Sequence, residues 1–102
     1  YLNVKRFISD KDSLDEIKVI NDTNTLRNYK LIMKVDKTIK LDKVIFEEKN
    51  IDLSKNKYKE DEKYNYYLLT ENSLIAGFKT YNLEFNELNN GITYEIIESK
   101  NI

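Results

Sequence analysis

The sequence predicts an α+β domain: one or two short N-terminal helices packed on a twisted antiparallel sheet of about five or six strands. Three observations lead there. Ser13 and Glu16 stand at capping-box spacing before Leu14 and Ile17, a helix-start pattern. Tyr29, Leu31, Met33 and Val35 alternate with Lys30, Ile32 and Lys34, the period of a half-buried strand. Near the C-terminus two further alternating runs flank Asn90-Gly91, a dipeptide that tolerates the positive φ of a tight turn.

In chain order, the opening YLNVKRFI places Val4, Phe7 and Ile8 on one stripe of a helix, and its eight residues fit a strand equally well. Leu14 to Ile20 reads as a short helix, with Asp15 and Glu16 at the positive end of its dipole and the polar NDTNT ending it. A strand begins at Tyr29. Ile39 and Leu41 continue its alternation, which slips phase at Asp42-Lys43 before Val44 and Phe46, as a bulge or a break between two strands would require. Residues 47–63 are polar and lysine-rich, with Ile51, Leu53 and Tyr58 as scattered anchors; they read as a long exposed loop or an irregular edge. A strand at KYNYYLL then sets Tyr64, Tyr66 and Leu68 on one face and Tyr67 and Leu69 on the other. Tyr81, Leu83 and Phe85, then Ile92, Tyr94 and Ile96, form the two apolar faces of a hairpin over residues 80–98, with Asn82, Glu84, Asn86, Thr93 and Glu95 opposite.

A chain of 102 residues is one domain, large enough to bury a core without staples. It has no cysteine, hence no disulfide-linked partner and no thiolate chemistry, and no histidine, the commonest general base and zinc ligand. Two glycines rule out a glycine-rich phosphate loop. Seventeen basic residues against eighteen acidic ones argue against a nucleic-acid binder, whose affinity rests on counterion release. No apolar run approaches the ~20 residues of a membrane span. The chain begins at Tyr1, which points to a domain excised from a longer chain with an upstream anchor.

Candidate sites are few. Asp10 and Asp12 open like a calcium loop, but Leu14 takes the next ligand position and the turn glycine is missing. Glu60, Asp61 and Glu62 lie among lysines as a solvated run. Asn21-Asp22-Thr23 fits the glycosylation sequon, a pattern chance supplies in a chain with thirteen asparagines. Tyr64, Tyr66 and Tyr67 invite a stacking platform for sugars or single strands, yet strand alternation divides them between faces. No residue earns a catalytic, metal or cofactor role, no cofactor is expected, and binding residues are left open. An enzyme is not expected.

The segment YNYYLLTENSLIAGFKTYNLEFNELNNGITYEIIES runs as a tyrosine-rich strand, a turn at Glu71-Asn72, a leucine-rich strand and a closing hairpin. That order resembles the C-terminal β-region of type IV minor pilins and pseudopilins, with Tyr66 and Leu68, Leu74 and Ile75, Tyr81 to Phe85 and Ile92 to Ile97 as the matching pieces. The resemblance covers about the last 40 residues. It implies a bacterial, extracellular or cell-surface structural subunit whose partners are other pilin-like subunits or a surface protein. Membrane contact would come only through a missing upstream helix, of which YLNVKRFI would be the stub. Two other readings stay open: a small protein-binding or inhibitory module of phage or immunity type, and a carbohydrate- or nucleic-acid-binding β-domain.

Overall fold

A computed structural model of the protein describes residues 2–8, 13–85 and 91–99. The fold is all-β, not α+β: among the described residues there is no helix, and nine strands form two antiparallel sheets. In chain order they are β1 (Leu2–Ile8), β2 (Leu14–Asn21), β3 (Arg27–Asp36), β4 (Val44–Phe46), β5 (Lys49–Asn50), β6 (Lys57–Glu60), β7 (Tyr64–Leu74), β8 (Gly77–Phe85) and β9 (Ile92–Ser99). One sheet runs β1-β2-β8-β4-β5 and the other β6-β7-β3-β9. Three hairpins stay within a sheet (β1–β2, β4–β5 and β6–β7), and the remaining connections cross between sheets.

The expected helix over Leu14–Ile20 is a strand, and so is the expected helical stub at the N-terminus. The segment LDEIKVIN buries Asp15, Ile17, Val19 and Asn21 on one side, a period of two. A helix of seven residues would gain little from its own hydrogen bonds, and Ile17, Val19 and Ile20 are β-branched residues suited to a pleated surface. Pairing with β1 on one side and β8 on the other completes the ladder. The capping-box residues therefore do other work: the Ser13 carbonyl accepts the Phe85 N–H at 2.8 Å, and Glu16 stands exposed opposite Phe7.

The expected hairpin over residues 80–98 is also overturned. Both strands exist with the apolar faces read from the sequence, but β8 pairs with β2 and β4 while β9 pairs with β3 in the other sheet. Their inward faces meet across the core instead of lying side by side. Asn86 and Asn90 lie outside the described residues, as do Asp10 and Asp12; Gly91 has φ 80°, the left-handed value that favours glycine. The turn expected at Glu71-Asn72 is absent, because β7 runs through to Leu74 and the chain turns at Ile75-Ala76. Ile39 and Leu41 lie in an irregular break before β4, and the polar 47–63 segment carries the short edge strands β5 and β6.

The core is the space between the sheets. Ile17, Val19, Val44, Tyr81, Leu83 and Phe85 from one sheet meet Tyr29, Leu31, Met33, Val35, Ile92 and Tyr94 from the other. Ile32 and Tyr66 are buried too, but apart from that cluster, on the outward side of the four-stranded sheet. A bulge at Leu69, between the pairs Leu31–Thr70 and Ile32–Leu68, lets β7 keep Tyr67, Leu69 and Leu74 all against the core.

Candidate functional sites

The tyrosines that suggested a platform are separated and already occupied. Tyr64 and Tyr66 face outward from the four-stranded sheet with ring centroids 6.4 Å apart, edge to face, while Tyr67 packs against the core. The ammonium of Lys34 lies 4.1 Å from the Tyr64 ring centre and that of Lys59 lies 4.6 Å from the Tyr66 ring centre. These cations cover the faces a sugar or base would stack on. The Tyr66 hydroxyl donates to Asp61 Oδ2 at 2.8 Å, a bond that pushes its pKa up to about 12.

The acidic run serves the same turn. Asp61 Oδ1 accepts the N–H groups of Lys63 and Tyr64, and these bonds together with the Tyr66 hydroxyl hold its carboxyl below the usual range. Glu60 bridges Lys37 and Lys57, each at 2.8 Å, and the two ammonium groups lower its pKa to about 2. Among the described residues no group of three acidic, histidine or cysteine side chains is placed to hold a metal ion.

Three buried polar clusters escape sequence reading. Between the sheets, Asp15 accepts the Tyr94 hydroxyl at 2.7 Å and the Arg6 guanidinium at 2.9 Å, while Arg6 also donates to the Ile92 carbonyl and lies 5.6 Å from the centre of the Tyr94 ring. Burial, then the bond to Asp15, drives the Tyr94 pKa far above its ordinary value. Elsewhere in the core, the hydroxyls of Tyr29 and Tyr81 meet at 2.5 Å and Asn72 donates to Tyr81 at 2.8 Å. Burial foremost raises the Tyr29 pKa as well. At the β2–β3 turn, buried Asn21 donates its amide to the Thr25 and Leu74 carbonyls and accepts from Thr23. The sequon asparagine is thus a structural clamp, and the nitrogen a glycan would need is enclosed. Asp15 and Asn21 share the phase of Ile17 and Val19, so a strand reading of that segment was the one signal that could have found them.

The exposed apolar side chains are the remaining feature. Phe7, Leu26, Tyr58, Ile75 and Phe78 are all exposed, Phe78 by 62%. On the outward side of the five-stranded sheet, register sets Asn3, Ile20 and Phe78 in one row across β1, β2 and β8. The next rows are Lys5, Lys18 and Thr80, then Phe7, Glu16 and Asn82, and last Leu14 with Glu84 beside Ile45 of β4. The Lys18 ammonium lies 4.4 Å from the Phe78 ring centre and 5.4 Å from that of Phe7. At the far end of β8 from Phe78, an open recess of about 360 Å³ is lined by Leu14, Ile45, Glu48, Asn82, Leu83 and Glu84.

Comparison with protein-family models, curated proteins and solved structures finds no match to this chain.

Proposed function

We propose that this chain is a non-enzymatic structural subunit of an exported, pilin-like assembly, acting through contacts between folded surfaces. One observation supports this above the rest: its two side-chain clusters between the sheets are closed within the fold, whereas its large exposed apolar side chains stand on strands and their connections. Arg6, Asp15 and Tyr94 close on themselves, and Tyr29, Tyr81 and Asn72 do the same. Phe7 and Phe78, by contrast, project from regular strands, where a neighbouring surface can bury them. The sheet edges add a second mode of contact, through backbone groups that a neighbouring strand can pair.

The parent gene tests the reading directly. A prepilin-type cleavage site upstream of Tyr1, followed by about 20 apolar residues, is the expected result, together with recovery of the protein in sheared surface fractions. An initiator methionine a few residues before Tyr1 would remove the anchored-subunit role.

A further inference from the structure

The outward side of the five-stranded sheet complements itself. Along β2 its outward residues read Ile20, Lys18, Glu16, Leu14: apolar, basic, acidic, apolar. Turning a second copy over, about an axis across the strands at Ile17, lays each of these four β2 residues on its complement. Lys18 then faces the second copy's Glu16, and Ile20 faces its Leu14. On β1 the same rotation sets Lys5 against the second copy's Phe7, a cation against an aromatic face. On β8 it carries Phe78 to the position of Glu84, between Leu14 and Ile45, which is the open recess.

We propose that the outward side of the five-stranded sheet is a two-fold, face-to-face docking surface for a second copy of this chain, with Phe78 of each copy seated in the recess of the other. Charge complementarity selects this occupant. Lys5 and Lys18 stand directly opposite each other on β1 and β2, an arrangement that costs stability in an isolated sheet. Glu16 of the second copy brings an anion onto Lys18, one strand from Lys5, and the same exchange occurs twice, as a two-fold interface demands. Glu16 and Glu84 on this face oppose an anionic lipid surface. Four strands about 4.8 Å apart and four rows about 6.8 Å apart give a face on the order of 300 Å² before side chains are counted. Counted on both copies that is on the order of 600 Å², below the roughly 1,200 Å² at the low end of standard interfaces, so the dimer is weak and forms only as concentration rises.

Sedimentation equilibrium from micromolar to millimolar protein tests this. The mass should climb from the protomer's 12.2 kDa toward twice that value. Phe78→Asp should hold the protein monomeric without lowering its melting temperature, since that side chain is mostly exposed. Lys18→Glu and Glu16→Lys should each weaken association at least ten-fold, and the double variant should restore it. A monomer at every concentration, a dimer indifferent to Phe78→Asp, or failure of the double variant to rescue would overturn the proposal. So would a monomer that sediments with anionic vesicles, which would give the face to lipid. The inference rests on the surface-packing reading only for its biological meaning: a monomer with an upstream anchor sinks the inference alone, and a dimer without an anchor sinks the subunit role alone.

Discussion

Asp15 is the residue on which the two sheets are keyed. Its carboxylate lies between them, bonded to Arg6 of the same sheet and to Tyr94 of the other. Removing one member of a buried charged cluster takes a partner from each of the others, which is more damaging than losing a surface ion pair. The Arg6 side chain is 23% exposed and can turn partly to water, which softens the loss. Asp15→Ala should therefore cost about 2–3 kcal/mol, and Tyr94→Phe about 1–2 kcal/mol, both read from urea midpoints. The tyrosines also set the response to alkali. Burial foremost raises the pKa of Tyr94 and Tyr29 in the folded protein, whereas the unfolded chain ionises them near their ordinary 10.0. The folded state holds protons that the unfolded state releases, so this stability is whole below about pH 10 and is lost as pH rises beyond it. Melting temperature should fall as pH rises from about 10 to 12, and less steeply in Tyr94→Phe; a parallel fall in both proteins would refute the assignment.

At the scale of the element, turns show how packing overrides local preference. The β4–β5 hairpin closes through Glu47 and Glu48, with φ 50° and 67°, a two-residue turn that ordinarily calls for asparagine and glycine. Glu47 is retained by a second role: its carboxylate accepts the Asn82 N–H at 3.1 Å, and its own N–H donates to the Asn82 carbonyl. Among the described residues no hydrogen bond of that kind ties Glu48, so Glu48→Gly should raise stability by about 0.5 kcal/mol, the left-handed penalty less the entropy glycine adds to the unfolded chain. Gly91→Ala should do the opposite. Its φ of 80° is costly for alanine, and the new Cβ would stand 2.8 Å from Ile39 Cδ1 and 3.3 Å from Asp36 Cβ. A loss of about 1–2 kcal/mol is expected, measured by thermal or chemical denaturation. β2 makes the same point about whole strands. Its helix-start signals are real, but Asp15, Ile17, Val19 and Asn21 all point one way only in an extended chain.

For the whole molecule, the order of strands decides where stability lies. β3 is flanked by β7 and β9, and β2 by β1 and β8, so both are paired on each edge and packed on the core. β5 and β6 are two- and four-residue edge strands whose side chains are exposed. Amide exchange should be slowest in β3 and β2 and fastest in β5 and β6. Equal protection across the edge strands would show that another surface covers them.

Much of this was legible without coordinates. The alternation at Tyr29 to Val35, at Tyr81 to Phe85 and at Ile92 to Ile96 identified strands and their buried sides, because the period of two is written locally in which residues are apolar. The division of Tyr64, Tyr66 and Tyr67 between faces followed from the same rule, and so did the weakness of a tyrosine platform. The buried polar clusters were not legible, since Asp15, Asn21 and Tyr94 acquire their partners from strands up to 79 residues away. Nor was the sheet to which each strand belongs. Asn90-Gly91 is a turn signal in the sequence, which does not say whether the second strand pairs with the first or crosses to the facing sheet. The sequence by itself determined most of the long strands and their inward faces. Only the tertiary structure decided that β2 is extended, that β8 and β9 lie in different sheets, and that Ile20, Lys18, Glu16 and Leu14 share an outward face. Backbone pairing is non-local, and a short segment takes the conformation that its neighbours in space can bury.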